Sequence, residues 1–198
     1  MDKMTEDQKV FVFLSICSAI EFLHSKGIAH RDLKPENILL FGERPIPKIA
    51  DFGTSKVIQT MIQSTSMAGT AKYIAPELLK QGSSYGETVD MYSITLILFE
   101  MFSGVDAFKG YTLVQGITTV STGERPEIPN DLPESLAELI ESGWDEDPTE
   151  RPPLSEIIET LKLMTIENFD EEEKIKYSKV KGATVPAANQ TKEIASLK

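Results

Sequence analysis

His30-Arg31-Asp32-Leu33-Lys34-Pro35-Glu36-Asn37 crowds carboxylates, two bases, a histidine, an amide and a proline into eight residues. Ordering so polar a stretch beside an apolar core is unfavourable unless its groups make specific interactions. Apolar segments flank it on both sides, which predicts a loop carried by a rigid frame, where binding and catalytic side chains concentrate.

Upstream, Thr5-Glu6-Asp7-Gln8 has capping-box spacing. Val10, Phe13, Leu14, Cys17 and Ile20 then recur at helical intervals, with Phe11, Ile16 and Leu23 widening the apolar face. Gly27 is the expected stop. Downstream, Ile38-Leu39-Leu40-Phe41 reads as a short buried strand, residues 42–45 as a turn and Ile46 to Ala50 as a second strand. That hairpin carries Asn37 and Asp51 at its two ends. Residues 54–74 hold seven Ser/Thr and little periodicity, which predicts a long mobile loop. Helices follow: Asp90 to Phe102 closed by Gly104, one opened by Pro133 with Leu136, Leu139 and Ile140 on one face, and one with Leu154, Ile157, Ile158, Leu161 and Met164. The pattern fades from about Thr165 into an acidic and then lysine-dotted tail, expected to be disordered or marginally helical.

The whole chain has 198 residues, 40% hydrophobic and 26% charged, which fits a globular protein. A net charge of -11 argues against an electrostatic grip on nucleic acid or anionic lipid. The single cysteine, Cys17, excludes an internal disulfide and reads as a small buried apolar group. The acidic N-terminus lacks signal-peptide character, and Ile94 to Phe102 is too short to span a bilayer. A cytoplasmic protein without membrane or nucleic-acid partners is expected.

Asp32 and Asn37 bound a short turn fixed by Pro35, and the hairpin brings Asp51 towards Asn37. A carboxylate plus an amide oxygen suits magnesium held mainly through phosphates. Lys34 offers a point charge to a phosphate oxygen, and Asp32 is left to accept a proton from an attacking hydroxyl. Taken singly, such charges are ordinarily a solvated salt-bridge cluster; here that reading must account for several signals at once.

The stretch His30 to Asn37, with Asp51-Phe52-Gly53 and Ala75-Pro76-Glu77, resembles in order and spacing the catalytic-loop, Asp-Phe-Gly and Ala-Pro-Glu motifs of eukaryotic protein kinases. The likeness runs through Gly69-Thr70, Asp90-Met91-Tyr92-Ser93, Trp144 to Pro148 and Arg151-Pro152, so it covers roughly residues 5–164. It implies a C-terminal lobe over residues 1–164, mainly α with a small β-hairpin within an α+β family fold, and a separate tail over 165–198. It implies ATP and Mg2+ as cofactors and protein serine or threonine hydroxyls as substrates. Asp32 would be the base, Lys34 would steady the transferring phosphate, Asn37 and Asp51 would hold the metal, and Leu39 would lie under adenine. His30 and Phe52 would stack in the regulatory spine, Asp90 would anchor the catalytic-loop backbone, and Glu77 and Arg151 would form a buried ion pair. Thr70 would contact Asp32 and Lys34. Lys34 two residues after Asp32, together with Gly69-Thr70, is similar to the serine/threonine class, and the Trp144 to Arg151 region to its tyrosine-kinase-like group. Arg31 would meet a phosphate on the activation segment, with Thr60, Ser64, Thr65 and Ser66 as candidates and Ser64 to Ser66 favoured.

Two departures are structural. Thr95 stands where the family usually has glycine, and Ala107 replaces the proline commonly found before Phe108. His24 and Trp144 read as packed core residues. A third departure is larger: no glycine-rich loop, strand lysine or partner glutamate precedes Thr5. A kinase-derived lobe without its N-terminal lobe is therefore expected to be inactive alone, with Leu39 exposed. The alternatives are a non-catalytic binding module and half of a split kinase completed by a separate N-terminal lobe.

Overall fold

The computed structural model describes residues 4–42, 45–51, 71–80 and 86–168. Helix α1, Glu6–His24, opens on the capping box: Gln8 N donates to Thr5 Oγ1 at 3.2 Å, and Thr5 N donates to Gln8 Oε1 at 3.0 Å. At its far end Gly27 takes a φ of 69°, Gly27 N donates to His24 O and Ile28 N donates to Leu23 O. Those two bonds are a Schellman stop, and the positive φ is why glycine is needed there. The helix buries Val10, Val12, Phe13, Ile16, Cys17 and Ile20, and burial pushes the Cys17 thiol well above its usual range.

A 3-10 turn, Pro35–Asn37, leads into strand β1, Ile38–Phe41, which pairs antiparallel with β2, Ile46–Ile49. The register sets Ile38 opposite Ile49 and Phe41 opposite Ile46. The second strand is one residue shorter than expected. The first is not the buried strand its apolar run implies: Ile38 is buried, but Leu39, Leu40 and Phe41 are each more than 40% exposed. Among the described residues the hairpin stands as a two-stranded sheet with two faces and two edges, and α1 packs against it chiefly through β2.

The loop expected over 54–74 ends sooner. Residues 52–70 lie outside the described residues, but Ala71–Tyr73 form a 3-10 turn and Tyr73 is buried. Helix α2, Pro76–Leu79, follows, and then α3, Thr88–Ser103, closed by Gly104 at a φ of 69°. Twelve of the sixteen residues of α3 are buried, so it is apolar nearly all round and forms the axis of the core. Phe13 of α1 meets Phe102 edge-on at 6.4 Å. Helix α4, Leu113–Ser121, has its own capping box from Thr112 and Gln115. Helix α5, Glu134–Gly143, buries Leu136, Leu139 and Ile140 against α3, and the Trp144 ring meets Phe99 at a tilt of 55° with centroids 5.4 Å apart.

Helix α6, Leu154–Asn168, buries Leu154, Ile157, Ile158 and Leu161 and continues past Thr165, where the sequence pattern fades. The chain divides into one compact unit of residues 1–162 and a second of residues 163–198, whose described part is the end of α6. No described helix is long and apolar enough to cross a membrane.

Candidate active site

The loop between α1 and the hairpin hangs from one buried carboxylate. Asp90, fully buried near the start of α3, accepts from His30 N at 2.8 Å and Arg31 N at 2.7 Å. Arg31 has a φ of 67°, a left-handed conformation costly for an arginine. The charge-assisted bond to its own N–H helps hold that shape. His24, at the end of α1, reaches the same carboxylate: its Nε2 lies 2.8 Å from Asp90 Oδ2. The packed histidine expected there is thus a hydrogen-bonding partner of the residue that suspends the loop.

His30 is buried and bonded on both ring nitrogens. Nε2 lies 3.1 Å from Ala50 O, and Asp32 N donates to Nδ1 at 3.3 Å. One tautomer, with hydrogen on Nε2, satisfies both contacts. Within the loop Lys34 Nζ lies 3.0 Å from each carboxylate oxygen of Asp32. Asn37 Nδ2 donates to Asp32 O at 2.8 Å and to Asp32 Oδ2 at 3.0 Å. Lys34 and Asn37 are buried, so these bonds act where water competes poorly. With the amide nitrogen of Asn37 committed to Asp32, its oxygen is the group left to meet a cation.

Asp51 lies one residue beyond a bond from Ala50 N to Asn37 O at 2.8 Å, exposed and with a φ of 60°. Aspartate tolerates this conformation better than most residues. The hairpin thus brings the backbone after β2 to the loop that carries Asp32, Lys34 and Asn37. Leu39, on β1, is 45% exposed. Phe52, Thr60, Ser64, Thr65, Ser66 and Thr70 lie outside the described residues, and Arg31 is exposed.

A second cluster joins α2 to the loop before α6. Arg151 donates from Nη1 to Glu77 Oε1 at 2.7 Å and from Nη2 to Glu77 Oε2 at 2.8 Å. It also donates to Thr88 O and Asp145 O, each at 2.9 Å. Its guanidinium lies 5.3 Å from the Tyr92 ring, and Arg125 lies 5.3 Å from the same ring.

Sequence reasoning missed a third cluster around Glu100, which reads in the sequence as a mere interruption of an apolar run. Glu100 accepts from Lys72 Nζ at 2.5 Å, from Ala107 N at 2.8 Å and from the Tyr73 hydroxyl. Burial, and then the Glu100 contact, push the Tyr73 phenol far above its usual range. Lys72 also pairs with Asp106, so the turn at 71–73 is tied to both the end of α3 and the segment after it.

Residues 1–161 match the family model described as the protein kinase domain. The chain is 38% identical over 159 residues to the serine/threonine/tyrosine-protein kinase HT1 of Arabidopsis thaliana, covering 80% of this chain and 39% of that protein. It is 37% identical over 179 residues to the Arabidopsis serine/threonine-protein kinase STY46, covering 89% of this chain and 31% of the relative. The RGS domain-containing serine/threonine-protein kinase A of Dictyostelium discoideum is 38% identical over 154 residues, covering 78% and 13%. The chain therefore spans well under half the length of these relatives.

Proposed function

The chain belongs to the protein kinase family, and from that membership we propose that residues 1–164 carry the C-terminal lobe of a serine/threonine kinase. In this reading the lobe supplies one side of the catalytic site and transfers the γ-phosphate of ATP to protein hydroxyls in signalling. The observation that carries it is Asp32, held by Lys34 and Asn37 in a loop suspended from Asp90. Asp32 accepts the proton of the substrate hydroxyl as its oxygen attacks phosphorus. Lys34, beside that carboxylate, steadies the phosphoryl oxygens.

The Asn37 oxygen and the Asp51 carboxylate fit magnesium, which takes few protein ligands when phosphates and water complete its shell. When bound, magnesium–ATP would supply the phosphoryl group and neutralise its charge, and Leu39 would offer an apolar surface to adenine. A phosphate among Ser64, Thr65 and Ser66 would pair with the exposed Arg31, and phosphopeptide mapping with modification only outside 54–70 would remove that regulatory role.

A glycine-rich loop and strand lysine are not among these 198 residues. By themselves, residues 1–198 are expected to bind nucleotide weakly and transfer phosphate very slowly, because phosphoryl transfer rests on positioning and electrostatics. Fused behind the N-terminal lobe of a relative, the chain should phosphorylate serine or threonine of a generic substrate. Asp32→Asn should then lower the rate by about a hundredfold or more. A folded, ATP-binding fusion that remains inactive with Asp32 intact would overturn the catalytic reading. Rapid transfer by the unfused chain would overturn its dependence on a second lobe.

A further inference from the structure

A groove of about 700 Å3 opens beside α5, away in sequence from the catalytic loop. Its lining mixes apolar side chains, Ile128, Leu132, Ala137 and the mostly buried Trp144, with the carboxylates Glu134, Glu141, Asp145 and Glu146. Glu134 and Glu141 are seven residues apart on α5, two turns along one face, and both are exposed. Arg125 also lines the groove, but its guanidinium is turned to protein: Nε donates to Trp144 O at 2.8 Å and Nη1 to Glu124 O at 2.9 Å. The stretch 123–146 holds eight carboxylates and that single arginine. The pairing of Glu146 with Lys80 joins two half-exposed side chains at 3.0 Å and is weak at a surface. A groove lined by acidic and apolar side chains together, on a chain of net charge -11, selects against nucleic acid and anionic lipid and for a basic ligand.

We propose that this groove docks a segment of a partner protein in which basic side chains alternate with apolar ones. The apolar side chains would lie against Ile128 and Leu132 near Trp144, and the basic ones would meet Glu134 and Glu141, since Asp145 Oδ1 already accepts from Asp147 N at 2.8 Å. The site is independent of the catalytic reading and would serve a kinase or a non-catalytic lobe alike.

Trp144 is the only tryptophan, so the full chain reports on its own groove. The probe is a short peptide alternating leucine and arginine, titrated against tryptophan fluorescence, with an analogue carrying glutamate for arginine. A saturable signal is expected with the arginine peptide alone. It should weaken as salt is raised, because screening shortens the reach of the groove's carboxylates to about 10 Å at 0.1 M. The double variant Glu134→Gln, Glu141→Gln, whose melting should match the parent, should weaken binding about tenfold or more. No saturable signal, equal binding of the glutamate analogue, or unchanged affinity in the double variant would each overturn the proposal. Sedimentation of the chain without peptide is the remaining arm. Self-association abolished by the same double variant would make the groove an interface between copies and overturn the partner reading.

Discussion

Tyr92 is fully buried, with Arg125 and Arg151 each 5.3 Å from its ring and a hydroxyl that no described group partners. A buried hydroxyl without a partner costs about 1–3 kcal/mol of lost hydration. Tyr92→Phe should therefore leave the unfolding free energy measured in urea unchanged or raise it by up to about 1 kcal/mol; a clear loss would mean the hydroxyl is paired. The same residue sets an alkaline limit. Burial pushes its phenol up to about 12, against about 10 in an unfolded chain. The folded state then holds a proton that the unfolded state loses, so this contribution is whole below about pH 10 and is lost as pH rises through about 12. Urea midpoints measured between about pH 9 and 12 should fall less steeply in Tyr92→Phe than in the parent. Tyr73, whose phenol is also raised, keeps part of the slope. Arg151 makes the complementary case. Lysine there keeps a charge but cannot reproduce the fork onto Glu77 together with the bonds to Thr88 O and Asp145 O. Arg151→Lys should cost about 2–4 kcal/mol in denaturant unfolding. A cost below about 1 kcal/mol would make the pair a surface-like bridge.

Between elements, the packing of α3 on α5 turns on one glycine. A Cβ built on Gly143 would sit 2.2 Å from Thr95 Oγ1 and 2.9 Å from Thr95 Cγ2. Thr95 is fully buried and donates to Met91 O at 2.8 Å, so it has nowhere to swing. Thr95, a departure from the family's usual glycine, is thus accommodated by a glycine on the facing helix. Gly143→Ala should lose about 1–3 kcal/mol by overpacking. In the background Thr95→Gly, itself costly by about 1 kcal/mol in a helix interior, the same change should cost little. The double-mutant cycle measures that coupling, and additive losses would refute it.

What the sequence disclosed at this scale was what local chemistry writes. The Thr5–Gln8 capping box, the glycine stops at Gly27 and Gly104 and the apolar periodicities of α1, α3, α5 and α6 are all short-range patterns. Helix α4 was missed because Gly116, Thr118 and Thr119 dilute its propensity; the Thr112–Gln115 capping box was the signal available. Strand β1 was misjudged because an apolar run says nothing of which face is covered. The partners of His24 and Glu100 were illegible for another reason: Asp90 lies 66 residues beyond His24, and Lys72 lies 28 residues before Glu100. Spacing on one element cannot name a partner on another.

Across the compact unit of residues 1–162, the three polar clusters share one design. Each lets a residue in or beside a helix hold an irregular segment: Asp90 holds the loop at 30–31, Glu100 holds Tyr73 and Ala107, and Arg151 joins α2 to the segment before α6. Irregular backbone is thereby given helix-grade support. For Asp90 this has a consequence in time. His30 and Arg31 sit in a loop, and loop amides ordinarily trade their protons with water through small local openings. Here both amides end on a carboxylate with no solvent exposure, on a helix about sixty residues further along the chain. To release them, the loop must come off α3. In native-state deuterium exchange their protection should therefore track that of the α3 interior amides, far above Gly27 or Gly42 in the neighbouring turns. Fast exchange at 30 and 31 with α3 still protected would show a loop that opens on its own. Slow exchange would make the amides beside Asp32 a clock for the cooperative opening of the compact unit.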